Sequence, residues 1–506
     1  MKEKVHVKKT DIVKEFHNNV DFCVGTGRIG LALHEEYMDE LRLVQQEIGF
    51  RHIRGHGLFC EDIAIYQFRE DEEGNKVLEY NFTYLDRIFD GYMKVGIRPF
   101  LELGFMPSEL ASGDQTVFYW KGNVTPPKNY GGWRELVQAL LRHLIARYGR
   151  EEVISWPVEV WNEPNLTGFW KDADMDEYFK LFRETFHAVK AVDPAFRVGG
   201  PAVCGGTDEI WIKAFLDFCD ENELDIDFIT RHHYTCGIAE RVGHYVYPEI
   251  DPPKRGRDNL KTTRDIADSY DRFRGREIHI TEFNTSWYPR NVIHDTNFNA
   301  AYIAHQLSWL GDLNESYSYW TFGDVFEETG VPFSMFHGGF GLVANGCVPK
   351  PTFWTFKFYK DMKERGTECV YRSENAVILR KADGGFCGTA WNFSMDGAAE
   401  DLCLTAELEA ADGEYSCVVK TVDKTTCDPL KAWHDLGEPK TPTETELDII
   451  KSASRPFVTT SRLRAESGRL ELDIDVKDCG VVYFELTPSE LISDRGYDYK
   501  RVTEIR

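Results

Sequence analysis

The sequence has no CxxC pair and no zinc-like cysteine spacing; its 12 cysteines stand singly. In a chain of 506 residues they read as ordinary reduced, mostly buried side chains, which excludes a disulfide-stapled scaffold or a cysteine-ligated metal centre. Positive charge is also in short supply. Lys and Arg number 59 against 84 Asp and Glu, a formal net charge of −25. That balance opposes non-specific binding to nucleic acid or an anionic membrane and points to a neutral substrate. No stretch approaches the ~20 apolar residues of a membrane span. The start, MKEKVHVKKTDIVKEF, carries no apolar run of signal-peptide type. A cytoplasmic protein without nucleic-acid or membrane partners is expected. Aromatics are plentiful, at 13% along the whole length, and they argue against disorder.

A chain of this length predicts one large domain plus an accessory domain. From about residue 22 to 362, short β-rich runs alternate with amphipathic helical stretches. The predicted strands are 22–27, 50–55, 98–103, 157–162, 196–201, 227–233, 277–283 and 316–322. Segments such as WRELVQALLRHLIARYG and DEYFKLFRETFHAVKAV carry helical spacing between them. Eight β/α units predict an α/β fold, a (β/α)8 TIM barrel over residues 16–362, with a doubly wound open sheet as runner-up. After residue 363 the pattern becomes alternating strands and turns, a C-terminal β-sandwich over 363–506. Residues 1–15 could pair with that accessory domain, and residues 420–462, rich in Thr, Lys, Asp and Pro, read as an insertion or long loop.

Barrel enzymes place their chemistry at the C-terminal ends of the strands. Those ends carry His56 (with Arg54), Glu102, Asn162, Glu163, His232, His233, Tyr234, Glu282 and Trp320. Glu is a poor strand residue, yet Glu163 closes VEVWNEP and Glu282 closes IHITE. Two facing carboxylates are what glycosidic cleavage requires. Glu163 is the candidate acid/base, kept protonated by the nearby charge of Glu282, and Glu282 the candidate nucleophile. A carboxyl separation of about 5–5.5 Å, the retaining geometry, is expected. Asn162 is placed to bond a sugar 2-hydroxyl. Trp120, Trp170, Trp287 and Trp320 are candidate stacking platforms, whereas Trp161 alternates away from Asn162 and reads as packing. His232 is a candidate sugar or carboxylate partner and Tyr234 a donor to the nucleophile. Adjacent histidines face opposite sides of a strand and share no ion easily, so no metal and no cofactor are expected. GTGRIG matches a dinucleotide fingerprint, but the acidic residue wanted at the next strand end is replaced by HIRGHG, so the glycines read as a barrel-rim loop.

The segments CVGTGRIGLAL, RHIRGHGLF, GIRPFLELGFMP, EVWNEPNLTGFWKDAD, RHHYT, HITEFNTSW, SYWTFGDVFEE and FHGGFGLV, spread over residues 22–365, together resemble glycoside hydrolase family 39 and its bacterial β-xylosidases. The resemblance implies an exo-acting retaining glycosidase that releases xylose from small neutral oligosaccharides, and a homotetramer. It implies Glu163 as acid/base, Glu282 as nucleophile, and His56, Asn162, His232, Tyr234 and Trp320 around the sugar. A glutamate of the FEE segment holds sugar hydroxyls in the relatives; Glu327 is the first choice and Glu328 the second. One departure is visible: relatives read TEYNTSY where this chain reads TEFNTSW, so Phe283 lacks a hydroxyl and Trp287 is bulkier. That bears on fine preference, not on the chemistry. The alternatives are the same chemistry on an α-L-iduronide, α-L-arabinoside or β-glucoside, or a non-catalytic carbohydrate-binding protein.

Overall fold

The computed structural model describes residues 1–14 and 16–504. Eight parallel strands form its centre: β1 (Cys23–Arg28), β2 (His52–His56), β3 (Arg98–Leu103), β4 (Val158–Val160), β5 (Val198–Val203), β6 (Phe228–Tyr234), β7 (Glu277–Asn284) and β8 (Ser316–Tyr319). Each pairs with the next, and β8 returns to β1 through Ser318↔Cys23 and Tyr319↔Val24. That last pairing closes the sheet into a barrel and rules out the open-sheet runner-up. All strands run the same way, so their C-terminal ends share one rim.

The helices form where the apolar spacing places them, and polar caps mark their starts. Asn129 accepts from the Gly132 amide to begin Tyr130–Tyr148, which buries Trp133, Leu136, Val137, Leu140, Leu141 and Leu144. Asp174 accepts from Glu177 N to begin Met175–Val192, whose Tyr178, Phe182, Phe186 and Val189 lie against the barrel wall. β4 is shorter than its predicted span. It stops at Val160 because Trp161 (φ 72°) and Glu163 (φ 44°) adopt left-handed backbone. Such conformations are uncommon away from glycine and turn the chain sharply at the rim.

The accessory domain is two packed sheets. One has six strands; the other has three, where Lys2–Val7 runs parallel to Leu402–Glu409 and Arg469–Val476 lies on its other side. Their facing side chains, including Val5, Ile378, Phe386, Leu404, Leu472 and Phe484, make a second core. The opposite face of the six-stranded sheet packs on the barrel, with Tyr483 stacked on Phe358 of the helix Pro351–Arg365. Residues 420–462 are not a long loop: their ends belong to two neighbouring strands of the six-stranded sheet, Gly413–Val422 and Phe457–Ala465. They hold the helices Pro429–Asp435 and Glu444–Ala453, the second begun by a capping box between Thr443 and Glu446. The Thr, Asp and Pro that suggested a loop are the start signals of these helices. Trp433 and Ile450 then cover Met335, Phe336 and Val348 below the β8 loop.

The glycines of GTGRIG serve packing. A Cβ on Gly25 would come 2.5 Å from the Trp320 ring, and one on Gly27 would come 2.8 Å from Phe326. Both residues let the β8 end and its loop lie flat against β1.

Candidate active site

The strand-end residues converge on a cavity of about 360 Å³ lined by His56, Asn162, Glu163, Tyr234, Glu282, Trp287, Trp320 and Glu328, with Phe118, Leu166, Phe169 and Phe340 as apolar wall. A larger hollow, about 1140 Å³, lies on the accessory sheet beside Arg380, Glu414 and Arg462 and holds none of these residues.

Glu163 and Glu282 face each other. One oxygen of each, with a ring nitrogen of His232, all lie within 4.8 Å of one another. His232 is fully buried beneath them: its Nδ1 is 2.8 Å from Glu163 Oε1 and 3.4 Å from Glu282 Oε2. It therefore partners the carboxylates and is not part of the cavity wall. The register explains why, since His232 is the neighbour of Glu282 across the β6–β7 pair, just after a shift at Arg231. Tyr234 donates to Glu282 Oε2 at 2.7 Å, and Arg54 Nη1 holds Glu282 Oε1 at 2.7 Å.

Arg54 is the hub of the floor. Besides Glu282 it donates Nε to Glu159 at 2.6 Å, and Nη2 to Asn162 Oδ1 at 2.9 Å, and it pairs with Glu102 at 2.9 Å. The guanidinium has no solvent exposure, and its acidic neighbours hold its pKa above the usual value against the burial that lowers it. With Oδ1 so occupied, Asn162 has its amide NH2 left to donate at the cavity it lines. Glu159 was not singled out from sequence. The signal was available: it is an acidic residue inside the apolar run VEV, and its Oε1 accepts from Thr281 at 2.9 Å. His56 presents one edge to the cavity and turns Nδ1 to Glu102 Oε2 at 2.7 Å.

Burial, the first cause, raises the Glu163 carboxyl to about 7 against the opposing charge of Arg54. The sequence reading expected the charge of Glu282 to do this; burial is the first cause. Burial likewise lifts Glu328 well above the usual carboxylate range, helped by the charges of Glu282 and Glu163. His56 and His232 are held down to about 4, again by burial first, so both rings are neutral near neutral pH.

Several expected side chains lie elsewhere. Glu327 turns away to pair with Arg28, and the next residue, Glu328, faces the cavity. Successive side chains along an extended loop alternate in direction, so only one of the pair faces the cavity. Trp320 and Trp287 line the cavity, whereas Trp170 is buried with its indole N–H on Asp174 O, and Trp120 packs on Phe105 and Phe118. Trp161 is packing, as expected, against Phe105 and Trp170. His233 points outward to Gln306 at 3.1 Å, and Arg231 also points outward, to Asp208 and Thr263. Among the described residues, Glu163, His232 and Glu282 are the one set whose atoms could together hold a cation, but Arg54 already supplies the positive charge there.

The model of the glycosyl hydrolases family 39 matches residues 3–471. A β-xylosidase of Geobacillus stearothermophilus is 48% identical over 479 residues, 94% of this chain and 93% of the relative. A β-xylosidase of Caldicellulosiruptor saccharolyticus is 34% identical over 437 residues, 85% of this chain and 87% of the relative. The crystal structure of a monomeric β-xylosidase from Caulobacter crescentus CB15 superposes with a TM-score of 0.87 at 30% identity, covering 96% of this chain and 100% of that one. The chain, a closed barrel with two opposed glutamates at its rim and this match along nearly its whole length, belongs to glycosyl hydrolase family 39.

Proposed function

We propose that the protein is a retaining, exo-acting β-xylosidase, with Glu282 as nucleophile and Glu163 as acid/base. The observation that carries the reading is the close approach of the two carboxyls, oxygens within 4.8 Å across the cavity. Inverting enzymes hold them about 6.5–9.5 Å apart to admit a water between carboxylate and sugar. Glu282, gripped by Arg54 and Tyr234, attacks the anomeric carbon. Glu163, protonated near neutral pH, gives its proton to the departing oxygen. Once the glycosyl ester forms, Glu163 is the base that activates water for the second displacement.

The small cavity, walled by loop residues Trp287, Glu328 and Phe340, suits a chain end rather than the middle of a polymer. A neutral glycon is supported by its wall, where no Lys or Arg stands among the described lining residues. Arg54 is fully engaged by Glu102, Glu159, Glu282 and Asn162, and Arg231 faces the helices, so neither is free to grip a uronate. The names of the relatives above support xylose as that glycon.

Azide rescue tests the two roles separately. Glu282→Ala is expected to lose turnover of an aryl β-xyloside and to recover it with azide, giving the α-xylosyl azide. Glu163→Ala with azide is expected to give the β-xylosyl azide. The opposite pair of products would exchange the roles, and no rescue of either variant would refute the mechanism.

A further inference from the structure

Three carboxyl groups, Glu102, Glu159 and Glu282, surround one buried guanidinium at the barrel mouth, and two more, Glu163 and Glu328, line the cavity beside Glu282. They cannot all be charged. Glu159 and Glu282 each have donors on both oxygens, from Arg54 and from Thr281 or Tyr234. Glu102 is different. Its Oε2 faces His56 and Arg54, while its buried Oε1 has no hydrogen-bond partner among protein atoms. A buried oxygen without a donor is a poor place for negative charge.

The ring of His56 supplies a second, independent constraint. Its Nε2 faces Glu282 Oε1 at 3.5 Å. As nucleophile, Glu282 is ionised, so that edge of the ring must carry hydrogen rather than a lone pair. A neutral imidazole has one N–H, so Nδ1 is then bare. Nδ1 nevertheless sits 2.7 Å from Glu102 Oε2, a distance that needs a proton between the two atoms. The carboxyl is the group that can supply it.

We propose that Glu102 is a neutral carboxylic acid that donates to His56 Nδ1 and so fixes His56 as the Nε2–H tautomer, a donor aimed at the nucleophile and the sugar. Glu102 is a positioning residue: it acts through His56 and does not line the cavity. This rests on the reading of the cavity as a glycoside site. The titratable groups around Glu102 are Arg54 and His56 on β2, Cys60 in the loop after β2, and Glu159, its register neighbour on β4; Glu163 stands beyond them at the end of β4. Burial raises Glu102 to about 8, with Arg54 opposing the rise. Above that pH Glu102 loses its proton to water, the ring proton of His56 shifts from Nε2 to Nδ1, the Glu102 carboxylate accepts a hydrogen bond from Nδ1–H, and Nε2 turns its lone pair on Glu282.

Two measurements test this. Ring 15N shifts of histidine-labelled wild-type protein, with His56 assigned by its loss in His56→Asn, read the tautomer directly. Nε2–H at pH 6.5 is expected, moving to Nδ1–H between pH 7 and 9. Nδ1–H at pH 6.5 overturns the proposal, and this experiment needs no altered Glu102. The second is the pH profile of kcat/KM for dinitrophenyl β-xyloside, whose leaving group does not need the proton of Glu163. A fall on the order of tenfold with a midpoint near pH 8 is expected, the worth of one hydrogen bond. Glu102→Gln is expected to remove that limb. A limb unchanged in Glu102→Gln overturns the proposal. Absence of any β-xyloside turnover by wild type would instead overturn the functional reading, leaving the tautomer result standing.

Discussion

Holding the acid protonated has a thermodynamic consequence that Glu163→Gln exposes. Burial moves this carboxyl from 4.5 to about 7. The folded-state value is raised, so the group's contribution to stability is fully present below pH 4.5, falls as pH rises towards 7, and stays lost above it. At ~1.4 kcal/mol per tenfold, the loss amounts to about 3 kcal/mol above neutrality. Glutamine cannot ionise and keeps nearly the same shape beside His232. The variant is therefore expected to gain on wild type by less than about 1 kcal/mol at pH 5 and by about 3 kcal/mol at pH 8. Urea unfolding at the two pH values, followed by tryptophan fluorescence, reads the difference, and any uniform effect of the amide cancels. Activity should move the other way, with turnover of xylobiose falling by about 10²–10⁴ for loss of a general acid. A stability gap equal at pH 5 and pH 8 would refute the reasoning, because it would mean that Glu163 titrates alike in the folded and unfolded chain.

Three further outcomes follow from the same geometry. Glu328→Gln should raise KM by about tenfold through loss of a contact to sugar hydroxyls, whereas Glu327→Gln, at the Arg28 pair, should leave KM within about twofold; steady-state kinetics on an aryl xyloside compares them. Tyr234→Phe removes the 2.7 Å donor from Glu282 and should lower kcat about 10–100-fold with Tm little changed. Lys350 Nζ is fully buried between Asp295 at 2.6 Å and Asp324 at 2.7 Å, under the loop that carries Phe340. Lys350→Met should therefore destabilise by about 3–5 kcal/mol in denaturant unfolding, since it leaves two buried aspartates without their cation.

The barrel could be read from the chain because its signals are local. Each strand is a short apolar or β-branched run, each helix repeats every three to four residues, and neither needs a distant partner to be recognised. β3 matches its predicted residues, 98–103, and β7 extends the predicted 277–283 by one. Glu163 and Glu282 stood out for the same reason, as acidic residues interrupting apolar strands. The helices at Pro429–Asp435 and Glu444–Ala453 are not legible in the same way, because each is short and held by caps and by Trp433 and Ile450 on the barrel, with little periodic pattern of its own.

What the sequence by itself determined is therefore the set of strands and which polar residues end them. What they do to one another was decided only by closure. Glu327 and Glu328 are adjacent and chemically identical in the chain, and the path of one loop sends the first to Arg28 and the second to the cavity between the two glutamates. Arg54 meets Glu102, Glu159 and Glu282 from three other strands, and His232 lies under both working carboxyls, because the barrel brings β2, β3, β4, β6 and β7 to one rim. Burial, charge and hydrogen bonding depend on separations in space, and residues hundreds of positions apart acquire those separations only when the last strand returns to the first.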